Sequence, residues 1–496
     1  MSDATQQYWD LIQEQKAYEE AIALMHWDLR TKAPKAGMEQ RAEAIGYLSQ
    51  QAHRLSTSDR MKELIDELKP IATDDILVKS LAESEKEYDR NKKIPEAEHK
   101  AYIMLQSKAE SVWGEAREKG DFRLLQPYLE ELVAYKKKFA SYWNPDQHAY
   151  DVLLDLYEPG ITMEKLDDVF PALRKSLTHL LEQIKQSSVK PDVSVLETHF
   201  SKEQQKAFTV AVLKKMGYDF DAGRLDDTIH PFEITLNSKD VRITTRYDEE
   251  DFRMAVFGTI HEGGHALYEQ NIGDELAATP LAGGTSMGIH ESQSLFWENF
   301  VARSEAFWKG HFEEFKTYAP ASLKEIDFAA FYQAVNEVKA SFIRIEADEL
   351  TYALHIMIRY ELEKALFKDE ITVAELPDIW NKKMEEYLGI VPESDAQGVL
   401  QDIHWSGGDF GYFPSYALGY MYAAQFNKKM RESLDTDSLI EAGDFAPIKQ
   451  WLTEQIHQYG KAKKPLELLQ DVTGEGLNAD HLVTYLTEKY SKIYQL

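Results

Sequence analysis

The five residues HEGGH, His261 to His265, constrain this chain more than any other stretch. Histidines four positions apart stand one above the other on one face of an α-helix. Gly263 and Gly264 lie between them, and each glycine costs a helix interior about 0.8–1.0 kcal/mol relative to alanine. A helix carrying that cost needs support from outside. Lacking a Cβ, the two glycines also let another element come close to the helix backbone. The segments expected there are the β-rich stretch just upstream and the one around Glu291.

The spacing has a chemical consequence. Imidazoles one helical turn apart can reach a single tetrahedral Zn²⁺. Glu262, beside the first of them, is placed to deprotonate a water held by that ion. The third ligand sorts such sites. A metzincin would put Gly and His at the third and sixth positions after His265, where Tyr268 and Asn271 stand, so that class is excluded. Glu291, in GIHESQSLFWENF, opens another apolar-periodic helix. It completes a His₂Glu set with an open fourth position, as catalytic zinc requires. Its neighbour His290 points elsewhere on that helix and is read as a pocket residue.

The rest of the chain supplies the scaffold. QYWDLIQEQKAYEEAIALMHWDL, DDILVKSLAESEKEYDRNKKI and LLQPYLEELVAYKKKFASYW repeat apolar residues at helical spacing. The first third therefore reads as helical hairpins with solvated charged faces. One stretch departs: HPFEITLNSKDVRITTRY has two alternating β-branched and aromatic runs about an NSKD turn. It predicts one small antiparallel β-sheet near residues 230–247. Helical periodicity then resumes, including FIRIEADELTYALHIMIRYELEKALF. The expected fold is mainly α, a single catalytic domain over 1–496.

Composition narrows the function. The absence of cysteine removes disulfides and thiolate chemistry. A net charge of −29, from 56 Lys+Arg against 85 Asp+Glu, argues against a nucleic-acid partner. No run approaches the 18 or so apolar residues of a membrane span. The N-terminal MSDATQQYWDLIQEQ lacks the basic-then-apolar pattern of a signal peptide. The expectation is a cytoplasmic protein without a membrane partner.

Five ordered motifs, DVRIT (240–244), HEGGH (261–265), HESQ (290–293), IRIEAD (343–348) and GVLQDIHW (398–405), together with HWDLRTKAPKAG (26–37), resemble the thermostable carboxypeptidase Taq family. The likeness covers essentially the whole chain. It implies a zinc (sometimes cobalt) carboxypeptidase with one ion per chain, a large helical body with a deep central groove, peptide substrates and a homodimer. The N-terminal hairpins, about 1–140, would form one wall of the groove. A more distant likeness, to helical peptidases of the angiotensin-converting-enzyme type, implies a transition-state tyrosine at Tyr412 with His404 as companion. That family carries an acidic residue four positions after the ligand glutamate, where Leu295 stands here. The acid that orients a zinc histidine must then come from elsewhere, with Glu298 and Asp348 as candidates.

Four further segments bear on the reaction. In a DVRIT strand, Asp240, Arg242 and Thr244 share a face that could line the cleft, and the strand edge could hold an extended peptide. Arg344 and Asp348 stand at i, i+4 on an expected long helix. Arg344 is the first candidate for anchoring a substrate carboxylate, with Arg242 behind it. Gln401 and His404 fall at helical spacing and are read beside the substrate. GTSMG around Ser286 matches a nucleophile elbow but lacks the buried strand that must precede one. The reading is a metal-dependent carboxypeptidase with Glu262 as base. An endo-oligopeptidase or dipeptidyl carboxypeptidase is the competing enzyme, and a helical binding protein with structural zinc the weaker alternative.

Overall fold

The computed structural model describes residues 3–496. Amphipathic helices account for most of them. The N-terminal layer begins with α1 (Asp3–Thr31), followed by helices Met38–Ser56, Asp59–Leu68, Asp75–Lys92, Glu96–Lys119 and Gln126–Trp143. Tyr8 and Ile12 of α1 pack with Met61, Leu64, Ile65, Leu77 and Leu81 in a small core of their own. From Tyr102 to Tyr494 a second, continuous core unites the rest, including α2 (Ala149–Tyr157). Among the described residues no helix is long and apolar enough to cross a membrane.

The sheet has three strands rather than a hairpin: β1 (Gly223–Asp227), β2 (Glu233–Asn237) and β3 (Asp240–Thr245), in the order β1-β3-β2. β2 and β3 form the expected antiparallel pair, with a register shift between Thr235 and Asn237. β1 joins β3 in parallel and makes the sheet mixed. Its sequence, GRLDD, carries no β-branched residue, so the strand is set by pairing rather than propensity. Because β3 is central, it has no free edge to offer a peptide.

Five further elements frame the site: α3 (Phe252–Gln270), α4 (Met287–Leu295), a π-helical segment Phe296–Ala302, α5 (Tyr352–Phe367) and α6 (Pro414–Met430). The expected long helix through IRIEAD is absent; Arg344–Glu346 is a single 3₁₀ turn and α5 begins only at Tyr352. The Asp348 carboxylate accepts the backbone N–H groups of Lys339, Leu350 and Thr351 and the Thr351 hydroxyl. That side chain competes with helical hydrogen bonding and holds the segment as a loop. GVLQDIHW is likewise a run of turns rather than a helix.

Two approaches explain the glycines of HEGGH. A Cβ on Gly264 would lie 2.6 Å from the Gln293 carbonyl oxygen and 2.7 Å from Ser294 Cα, so α4 rests directly on the backbone of α3. A Cβ on Gly263 would lie 2.5 Å from Leu213, in helix Lys202–Met216. The Glu291 helix is therefore one neighbour, as expected, and the other is a helix rather than the hairpin.

Candidate active site

Donor atoms of His261, His265 and Glu291 lie within 4.8 Å of one another. The Nε2 atoms of the two histidines are 3.9 and 3.5 Å from Glu291 Oε2. Each imidazole has its other nitrogen occupied. His261 Nδ1 lies 2.9 Å from Glu298 Oε2, and Arg303 donates to the other oxygen of that carboxylate. His265 Nδ1 lies 2.6 Å from His290 Nδ1, and His290 Nε2 is 3.0 Å from Glu269. Both Nε2 atoms thereby face the Glu291 carboxylate, and deprotonated they could share one ion. Two imidazoles and a carboxylate so oriented fit a divalent metal.

The acid behind His261 is thus Glu298, and Asp348 is a loop cap. The π-helical turn after Leu295 changes the register of the helix and brings Glu298 to the metal side. His290 lines a cavity of about 370 Å³ between the N-terminal layer and α4, together with Gln15, Glu83, Arg90, Tyr157 and Met287.

Burial disfavours charge on both histidines. At His261, Glu291 and Glu298 overcome it and raise the pKa to about 10, whereas at His265 burial prevails and lowers it to about 4. Burial raises the Glu262 carboxyl to about 7, against the opposing charge of His261. Glu262 is 8% exposed, yet no described residue donates a hydrogen bond to its side chain. It is a carboxylate left free beside a set of metal donors.

Arg344 leads away from Asp348. Its Nε and Nη2 donate to Asp402 Oδ1 at 3.1 and 2.9 Å, while Arg359 Nε donates to Asp402 Oδ2 at 2.7 Å. Burial, reinforced by these arginines, holds the nearby His355 at about 3; it lowers His404 to about 4, Asp402 notwithstanding. Two guanidiniums, one carboxylate and two neutral imidazoles leave the cluster one positive charge in excess. Arg359 is fully buried with its donors spent on Asp402, Gln401 and the His355 carbonyl. Arg344, stacked on Tyr416 at 4.9 Å, keeps Nη1 without a carboxylate partner.

Two expected substrate contacts are committed elsewhere. Gln401 accepts from Arg344 N–H and Arg359 and donates to the carbonyls of Phe342, Gln397 and Gly398. Its amide is a clasp for the Arg344 loop. Arg242 makes a two-pronged pair with Asp240 at 2.7 and 2.6 Å. The guanidiniums of Arg242 and Arg224 stand 4.8 and 4.7 Å from the ring of Trp27, so α1 covers this face of the sheet. Thr244 is buried and bonded to Phe232.

His404 stacks on Tyr412 at 5.3 Å, and its Nε2 lies 3.5 Å from the hydroxyl of Tyr416. Burial raises the phenols of Tyr412, Tyr416 and Tyr352, and the Glu291 charge adds to each. Tyr416 and Tyr352 are not among the sequence candidates. Tyr416 sits four residues after Tyr412 on a helical pattern, a signal that could have named it. Ser286 caps α4 and its hydroxyl donates to Glu158, with no histidine side chain hydrogen-bonded to it among the described residues.

A mainly helical body in which an HExxH helix and a second helix converge on two histidines and a glutamate defines a metallopeptidase. The chain belongs to the carboxypeptidase Taq (M32) metallopeptidase family, whose profile matches residues 7–490. It is 55% identical over 493 residues to carboxypeptidase 1 of Bacillus subtilis, covering 99% of this chain and 98% of that protein. Thermostable carboxypeptidase 1 of Thermus thermophilus is 41% identical over 486 residues, 95% of each chain. The crystal structure of an M32 carboxypeptidase from Deinococcus radiodurans R1 superimposes with a TM-score of 0.97 at 34% identity, covering 100% of both chains. The protein is a metallocarboxypeptidase that acts on peptides.

Proposed function

We propose that His261, His265 and Glu291 hold one zinc ion, with cobalt able to replace it, and that Glu262 is the general base for hydrolysis of the C-terminal peptide bond. The observation that carries this reading is the unpartnered Glu262 carboxylate beside three convergent metal donors. When bound, the ion supplies Lewis-acid polarisation of the scissile carbonyl and acidifies the attacking water. Glu262 takes the proton from that water as its oxygen attacks, and delivers it to the amine as the C–N bond breaks. Tyr412 donates to the developing oxyanion. His404, held neutral against Tyr412 and Tyr416, orients the two phenols. Arg344 receives the substrate's terminal carboxylate, which the surplus positive charge of the Arg344–Arg359–Asp402 cluster supports. Gln401 positions that arginine, and His290 positions His265 while bordering the cleft. Arg242 orders the sheet against α1.

The chain acts as one catalytic domain, with helices of residues 1–140 as one wall of the groove. The cavity between α1, helix Asp75–Lys92 and α4 supports this. The proposed assembly is the homodimer implied by the family resemblance, and the proposed compartment is the cytoplasm, which the absence of cysteine supports. The test is Glu262→Gln. It should fold, bind one metal per chain and lose about 10²–10⁴-fold in kcat, the usual contribution of a general base. Activity near that of the native enzyme removes Glu262 from the reaction.

A further inference from the structure

Resting on the roles assigned to Tyr412 and Glu291, we propose that Tyr157 and Glu158, adjacent residues where α2 ends, are positioning residues that keep the Tyr412 phenol in register with the Glu291 carboxylate.

Glu158 is 1% exposed and has no cationic partner; burial raises its carboxyl to about 7. A buried acid without a counter-charge is costly unless its oxygens are bonded. Every hydrogen bond its carboxylate makes goes to the two helices that build the site. Oε2 accepts from Gly288 N–H at 2.8 Å, and Oε1 accepts from the Ser286 hydroxyl at 2.9 Å, both at the N-terminus of α4. Oε1 also accepts from Tyr422 of α6 at 3.0 Å. A carboxylate there is favoured by the α4 dipole. These helices already meet closely: a Cβ on Gly419 of α6 would lie 2.7 Å from Glu291 Cβ. Glu158 therefore fixes α4 against α6 about one turn before the metal carboxylate.

Tyr157 acts on the other partner. Its ring meets Tyr412 edge-on at 5.1 Å and 81°, and its hydroxyl donates to Asp409 at 3.3 Å. Asp409 and Tyr412 flank Gly411, which has φ +87° and whose Cβ would lie 2.8 Å from the Leu153 carbonyl carbon of α2. The loop before Tyr412 is thus seated on the backbone of α2, with Tyr157 against the phenol. One helix end reaches both halves of the site, and a displacement of about 1 Å between them is worth up to 10²-fold in rate.

The test uses the zinc-loaded full-length enzyme. Tyr157→Phe removes the Asp409 bond and keeps the ring. It should lower kcat about tenfold, a part of what a 1 Å displacement costs, with KM changed less than about twofold. In a Tyr412→Phe background the same change should cost nothing further, since both act through one phenol. Glu158→Gln should weaken zinc binding about tenfold in competition with a chromophoric chelator, the lower range for groups that orient ligands. Should that variant not fold, Tyr422→Phe removes one donor and should shift zinc affinity in the same direction. Equal losses from Tyr157→Phe in both backgrounds, or native zinc affinity in the Glu158 or Tyr422 variant, overturn the inference alone. Unchanged kcat in Tyr412→Phe itself overturns the assignment of Tyr412 and this inference with it.

Discussion

His261 Nδ1 lies 2.9 Å from Glu298, and Arg303 holds the same carboxylate from its other oxygen. Burial opposes ionisation of Glu298, but His261 and Arg303 outweigh it and lower its pKa to about 2. The acid is therefore charged throughout the working range and fixes His261 as the Nδ1–H tautomer. Glu298→Gln should weaken metal affinity about 10–100-fold. Chelator competition checks this, and unchanged affinity removes Glu298 from the site.

The second histidine is held differently. His265 leans on His290, which leans on Glu269. A carboxylate that acts through an intervening imidazole polarises the ligand less than one in direct contact does. His290→Ala should therefore weaken metal affinity about tenfold, at the lower end for such groups. Glu269→Gln, which keeps an acceptor for His290, should have a smaller effect. A larger loss from Glu269→Gln than from His290→Ala would reverse this order.

Two glycines of α3 should respond to alanine with opposite signs. A Cβ on Gly258 would meet only Met254 Sδ, at 4.0 Å, so Gly258→Ala should gain up to about 1 kcal/mol of helix propensity. Gly264 faces the α4 backbone at 2.6 Å, so Gly264→Ala should lose about 1–3 kcal/mol to overpacking, net of that gain. Chemical denaturation of both variants decides it.

The buried Glu363 gives a pH dependence. It accepts from Tyr150, Trp405 and Gly411 N–H, and burial, against these bonds, raises its pKa to about 7. The folded state then binds a proton more tightly than the unfolded one between about pH 4.5 and 7. Its contribution to stability is full below that window and is lost as pH rises through it. In Glu363→Gln this component should vanish, so the stability difference between native enzyme and variant should change between pH 5 and 8 and be flat above. Parallel stability curves across that range contradict the raised pKa.

His261, Glu262 and His265 were legible as a constellation because their spacing on one helix is itself the geometry, whereas Glu291 was legible only as an acid opening a second helix. Glu298 was legible only as one of two candidates, since a π-helical turn, which no local pattern announces, sets its direction. β1 was missed because GRLDD owes its strand to pairing with β3. The Arg344 segment misled for the opposite reason: its apolar period is helical, yet Asp348 takes the backbone donors a helix would use. Arg242 and Gln401 read as substrate contacts because sequence shows a side chain's chemistry and not whether Asp240 or a neighbouring carbonyl has already claimed it.

Anchoring of a free C-terminus separates a carboxypeptidase from an endopeptidase. Arg344 Nη1 has no carboxylate partner, and the cluster of Arg344 with Arg359 and Asp402 carries one surplus positive charge. The measurement is kcat/KM for one peptide as free acid and as C-terminal amide, with the native enzyme and with Arg344→Ala. Amidation and the substitution should each abolish most cleavage, losing a charge-assisted contact of about 1.5–3 kcal/mol. The two losses should not add, because each removes the same interaction. An amide cut as fast as the acid, or an Arg344→Ala enzyme that still prefers the acid as strongly as the native one, would contradict anchoring by Arg344.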